Sequence, residues 1–217
     1  MLRAGFEKEL NNLKTDALDM FERVEEAVKT AVQALGEMDA ALARKVIKQD
    51  DIIDLKMYEI EEKAIELIAL QQPMAKDLRM IFSITKIISN LERIGDFAVN
   101  IAKEVIKMGG DECISKWSGI FKMTDIFLGM MDKTKSSLLL EDPTLALEVG
   151  REDEFVDNLY REIYSDMLIT IHKNSDYINQ GTKILFVGRY VERMADHLTN
   201  ICEMIIYIAK GERIEID

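Results

Sequence analysis

Glu92, Asp96 and Asn100 stand four residues apart, and the same three residue types recur at Glu192, Asp196 and Asn200. On a helix each four-residue step turns by only about 40°, so either trio forms one stripe of side-chain oxygens. Two further pairs at the same step, Asp50 with Asp54 and Asp153 with Asp157, lie upstream of them. If the helices that carry these pairs are antiparallel neighbours, four carboxylates meet in each of two places. Carboxylates that close repel one another, and a multivalent cation is the usual way to offset the repulsion. Oxygen-only ligands select hard ions such as magnesium, calcium, manganese or ferric iron.

With 40 acidic residues in the chain, a Glu and an Asp four apart will occur by chance, and a solvated helical face is the ordinary explanation of any single pair. Repetition argues for more than chance. Residues 50–60 (DDIIDLKMYEI) align with 153–163 (DEFVDNLYREI) at an offset of 103, and 92–101 (ERIGDFAVNI) with 192–201 (ERMADHLTNI) at an offset of 100, the latter with five of ten positions identical. Helix formation by itself asks for no Asp in a helix interior. The apolar seam of the third helix is read as Leu91, Ile94, Ala98, Ile101 and Val105, and the acidic stripe is expected to point well away from it.

Other groups offer less chemistry. His197 follows Asp196, but its counterpart is Phe97, so packing explains it better than ligation; no Glu-x-x-His spacing of a ferritin-like di-iron site occurs. His172 reads as a cation at a helix C-terminus. Cys202 lies among Ile201, Ile205 and Ile206 as a small core residue, and Cys113 has no nearby His to activate it. No Gly-rich phosphate loop or nucleophile elbow is present, and nothing points to catalysis. Arg79, just inside a helix start after Pro73, reads equally as a group that orients an interface and as an ordinary helix-surface arginine.

The elements that must position these residues are helices. Only two prolines and eleven glycines punctuate 217 residues, and Phe21, Val24, Val28, Ala31, Val32 and Leu35 follow the three- and four-residue steps of a buried helical face. Breakers at Gly36 with Asp39, Gln72 with Pro73, Gly109 with Gly110, Asp142 with Pro143, 174–181 and Gly211 leave six helices of roughly 25 to 35 residues. Asp39 and Asp142 are expected N-caps. The fold class is all-α, two tandem three-helix bundles related by internal duplication, divided as residues 1–110 and 111–217. Hydrophobic residues at 48% and charged residues at 31% supply a core and solubility, which excludes wholesale disorder. A formal charge of −12 excludes a generic grip on nucleic acid or an anionic membrane. No stretch approaches the roughly 18 uncharged residues of a membrane span, and the two cysteines form no CxxC, so a cytoplasmic protein in a reducing compartment is expected.

At these residues the chain resembles the PhoU family, proteins of phosphate signalling that accompany the phosphate-specific ABC transporter. The resemblance is carried by residues 68–79 (IALQQPMAKDLR), 91–101 (LERIGDFAVNI), 191–201 (VERMADHLTNI) and 206–212 (IYIAKGE), and covers essentially the whole chain. It implies that the E/D-x-x-x-D motifs, two per bundle, bind metal ions or multinuclear clusters on the surface, of iron, zinc, manganese or magnesium. Carried over by position, the ligands are Asp50, Asp54, Glu92, Asp96, Asp153, Asp157, Glu192 and Asp196; Asn100 and Asn200 are weaker candidates, and Phe97 departs from the His found in many members. The resemblance further implies no enzymatic activity, a negative regulator of phosphate uptake, a sensor histidine kinase and the transporter as partners, and room for a homodimer. A metal-storage or metal-dependent phosphate-handling protein, and an accessory subunit of another phosphate permease, are the alternative readings.

Overall fold

A computed structural model describes residues 2–109 and 118–216. Six helices follow in chain order: α1 (Leu2–Glu37), α2 (Ala40–Gln71), α3 (Ala75–Met108), α4 (Ser118–Leu140), α5 (Pro143–Lys173) and α6 (Ile178–Lys210), with a 3₁₀ turn at Ser175–Tyr177 between the last two. No strand occurs among the described residues. The division expected at residue 110 lies outside them, as does Cys113.

The ends of the helices repeat with the sequence. Asp39 Oδ1 accepts from the amides of Ala41 and Leu42 at 2.7 and 3.0 Å, and Asp142 Oδ1 from that of Thr144 at 2.8 Å, so both expected caps satisfy free first-turn donors. Just before each cap a residue takes the left-handed conformation, Met38 and Glu141, both at φ 53°. Gly36, near which the first helix was expected to stop, is its next-to-last residue, followed only by Glu37. A Cβ at Gly36 would come within 3.3 Å of the Phe121 ring, so its lack of a side chain admits α4. Gly181, expected in a loop, is buried inside α6, whereas Gly36 is exposed.

Packing places α2, α3, α6 and α5 in one row, with α1 over α2 and α3, α4 over α5 and α6, and α1 touching α4. The seam read from the sequence is the seam that packs: Leu91, Ile94, Ala98 and Ile101 are fully buried and Val105 nearly so. Between the repeats, α3 and α6 run antiparallel, since Arg79 at the start of α3 lies against Gly211 at the end of α6. At this contact Phe97 stacks on Tyr190 with ring centroids 5.9 Å apart, while His197 Nδ1 hydrogen-bonds with Asn90 Oδ1 at 2.8 Å. Positions 97 and 190 of one contact become 197 and 90 of the other, the exchange a twofold axis requires. Phe97 and His197 themselves meet at 5.8 Å, beside that axis.

Candidate metal centres

Each acidic cluster is assembled by two helices of one repeat. In the first, α2 supplies Asp50 and Asp54 and α3 supplies Glu92 and Asp96. Burial, then repulsion from Asp54 and Asp96, pushes the Asp50 carboxyl up to about 6, with Lys103 opposing. Asp54 and Glu92 are raised by the same causes, burial first and then Asp96. Gly95 helps to build the cluster, because a Cβ there would touch the Ile53 side chain at 3.4 Å and lie 3.9 Å from Asp50 Oδ1. In the second cluster, α5 supplies Asp153 and Asp157 and α6 supplies Glu192 and Asp196. Burial together with Asp196, Asp157 and Glu192 pushes Asp153 up to about 7, and burial with Asp196 raises Glu192. The eight predicted residues thus fall into two groups of four whose members repel one another.

The stripes do not stand clear of the core as expected. The side chains of Glu92 and Glu192 are only 21% and 13% exposed, whereas those of Asp96 and Asp196 are each 38% exposed, so the stripe enters the groove between helices at its glutamate end. Desolvation follows from this, and it is the largest cause of the raised carboxyls. Two carboxylate oxygens of the second cluster, Asp153 Oδ1 and Glu192 Oε2, are shielded from solvent with no hydrogen-bond partner. Glu192 Oε2 has the Arg193 guanidinium 3.8 Å away, whereas Asp153 Oδ1 has no ion pair to a described residue either, and a buried carboxylate oxygen left so is costly and fits a cation.

Arginine is the part of the site that spacing did not reveal. Arg93 Nη1 donates to Asp96 Oδ2 at 3.1 Å and Arg193 Nη1 to Asp196 Oδ2 at 3.2 Å, with Nε of each 3.7 and 3.8 Å from the neighbouring glutamate. Arg189 adds a hydrogen bond to Glu192 Oε1, and Arg161 reaches Asp157 at 3.3 Å. The E-R-x-x-D pattern carried that signal, since an arginine three residues before an aspartate on a helix faces it. With the arginines in these positions, no three His, Cys, Asp or Glu side chains among the described residues converge on a point that could hold an ion. Asn200 turns its amide back to the Asp196 carbonyl at 2.8 Å, which takes its Nδ2 out of the cluster. His197 faces α3, and burial lowers its pKa. Cys202 is buried 3.5 Å from Thr134 Oγ1, its thiol pushed up to about 12, and is inert at neutral pH.

These features define a duplicated three-helix protein with a polyacidic groove in each repeat, and the comparisons with known proteins agree with that class. The PhoU domain model matches residues 17–105 and again 120–205, and the chain belongs to the PhoU family. It is 37% identical over the full length of both chains to a phosphate-specific transport system accessory protein PhoU homolog of Clostridium acetobutylicum. A homolog of the same description from Aquifex aeolicus is 38% identical, over 96% of this chain and 94% of its own. The crystal structure of PhoU from Pseudomonas aeruginosa superposes with a TM-score of 0.91 at 31% identity, covering 95% of this chain and 100% of that one. The phosphate transport system regulatory protein PhoU from Streptococcus pneumoniae gives 0.90 at 30% identity, covering 97% and 99%. The family is one of accessory and regulatory proteins, not enzymes. No described helix is long and apolar enough to cross a membrane.

Proposed function

We propose that this protein is a cytoplasmic negative regulator of phosphate uptake and phosphate-starvation signalling, acting as a metal-binding helical adaptor between the phosphate ABC transporter and a sensor histidine kinase. Its two repeats, residues 1–110 and 111–217, each hold one metal site. The observation that carries the reading is the buried Asp153 Oδ1, a carboxylate oxygen with no hydrogen bond or ion pair to a described residue, in a cluster that recurs at the matching place of the first repeat. Whole-length similarity to proteins named for phosphate transport supplies the biological setting.

A hard cation would be held by Asp50, Asp54, Glu92 and Asp96 in one groove and by Asp153, Asp157, Glu192 and Asp196 in the other, where it would neutralise charge and tie two helices together. The chain's own contribution is positional. The α2–α3 and α5–α6 grooves hold the carboxylates at the edge of solvent, and the arginines keep Asp96 and Asp196 partly neutralised. The row of helices leaves α2 and α5 at the outer edges, and neither packs against the opposite repeat.

Deletion of the gene is expected to switch on phosphate-starvation genes in phosphate-rich medium, and the wild-type protein to restore repression. A variant carrying Glu92→Gln, Asp96→Asn, Glu192→Gln and Asp196→Asn should restore it less well and, after purification, retain less metal by elemental analysis. Normal repression in the deletion strain would overturn the regulatory reading.

A further inference from the structure

The end of α2, the start of α3, α6 and the tail after it enclose a groove of about 510 Å³, its Leu78 about five turns of α3 away from Asp96. Its walls are Ile68, Leu78, Phe82 and Tyr207, and its polar groups include the guanidinium groups of Arg79 and Arg213. None of its lining residues is acidic, in a chain of 40 acidic residues against 28 basic ones. Most arginines at the acidic clusters hold carboxylates; here neither arginine forms a hydrogen bond or ion pair with a described residue, and Arg79 Nε is shielded from solvent with no acceptor.

Two glycines hold this pair in place. Gly211 ends α6 in the left-handed conformation at φ 77°, and a Cβ there would come within 3.2 Å of Arg79 Cζ, so the guanidinium lies directly on the glycine. The chain then turns back along α6. Ile216 N–H donates to Glu203 Oε1 at 3.0 Å, and the Ile216 side chain occupies the space that a side chain at Gly150 would need. At the offset of 103, Gly150 corresponds to Ile47, a residue packed on the core, so the tail replaces a side chain the second repeat lacks. Anchored at both ends, the tail carries Arg213 over the Tyr207 ring, 5.5 Å from its centroid.

We propose that this groove is a docking site for a segment of a partner protein in which a carboxylate is flanked by apolar side chains. Charge complementarity selects the carboxylate, because two guanidinium groups with no acidic partner among the described residues present fork-shaped donors that match it. The apolar walls select the flanks: Ile68, Leu78 and Phe82 are 43%, 43% and 38% exposed, a patch that a bare inorganic anion would leave uncovered. The site is separate from the acidic clusters, and it gives the adaptor reading above a surface and a recognition chemistry.

Phage display of a randomised 12-residue peptide library on the immobilised full-length protein tests the inference. Selection should enrich Asp or Glu beside Leu, Ile or Phe. Fluorescein-labelled copies of the selected peptides should bind in solution, at least about tenfold more weakly to Arg79→Gln and to Arg213→Glu, as loss of a charge-assisted hydrogen bond requires. Arg213 is exposed on the tail, so its variant keeps the fold even if the Arg79 variant does not. Absence of enrichment, enrichment of basic sequences, or equal binding by the Arg213 variant would each overturn the proposal. Displacement by millimolar inorganic phosphate, beyond that of chloride at equal ionic strength, would reassign the groove to the free anion and overturn it as well. Because binding is read on purified protein, failure here leaves the gene-deletion result standing, and failure there leaves the peptide result standing.

Discussion

A carboxyl group held up to about 7, as Asp153 is, makes the protein's stability depend on pH in a definite direction. The folded pKa is raised above the ordinary 3.8, so the folded state binds the proton more tightly than the unfolded chain. The stability this provides is fully present below the unfolded value and is lost as pH rises through about 7; for Asp50 the loss is complete nearer 6. Chelator-treated Asp153→Asn should therefore melt a few degrees above wild type at about pH 8, with the gap closing only at about pH 3, below the ordinary 3.8, where Asp153 is protonated in the folded and the unfolded chain alike. Manganese or magnesium should reverse the order at the higher pH, stabilising wild type and not the variant. Differential scanning calorimetry at the two pH values decides it. An Asn variant no more stable than wild type at the higher pH would show that Asp157, Glu192 and Asp196 do not repel Asp153 as placed. The residues of this site were legible because duplication wrote the same spacing twice. The guanidinium contacts and the depth of the groove were not, because a four-residue period gives a direction around one helix and no distance to the next.

At the scale of the helix, the boundaries follow local rules that the sequence displayed and one that it did not. Caps at Asp39 and Asp142 were legible from residue type, whereas Met38 and Glu141 were not, since a left-handed residue without glycine has no compositional mark. Glycine itself misled at Gly181, where tertiary contact with Met167 and Ile171 uses the missing side chain inside a helix. Removing the cap in Asp142→Ala should cost about 1 kcal/mol, and Asp39→Ala about the same, by urea denaturation. Glu141→Gly should be neutral or stabilising by up to about 1 kcal/mol, because relief of the positive φ offsets the flexibility glycine adds to the unfolded chain. Its partner Lys14, which reaches Glu141 Oε1 at 3.0 Å, also donates to the Leu139 carbonyl at 3.0 Å and so keeps one anchor. A loss above about 1 kcal/mol in Glu141→Gly would mean that this ion pair outweighs the backbone strain.

For the whole molecule the sequence announced two copies, and the structure joins them through one core. The buried apolar residues of α1 through α6 form a single cluster, and the α3–α6 seam supplies its middle. This joining was not legible, because the residues at the seam, Asn90 with His197 and Phe97 with Tyr190, are neither identical between copies nor uniformly apolar. Each repeat relies on the other to cover the inner faces of α3 and α6, so unfolding one exposes the apolar surface of its partner. The chain should consequently unfold in one transition in urea, with far-ultraviolet circular dichroism and hydrogen exchange of the buried amides of α3 and α6 reporting the same free energy. Phe97→Ala, at a half-buried seam position, should lower that common value by about 1–2 kcal/mol, less than truncation of a fully buried phenylalanine. The decisive reading is where the loss falls: it should shift exchange in α5 of the second repeat as much as in α2 of the first. Two separate transitions, or a loss confined to the repeat that carries Phe97, would mean that the seam only abuts two independent bundles.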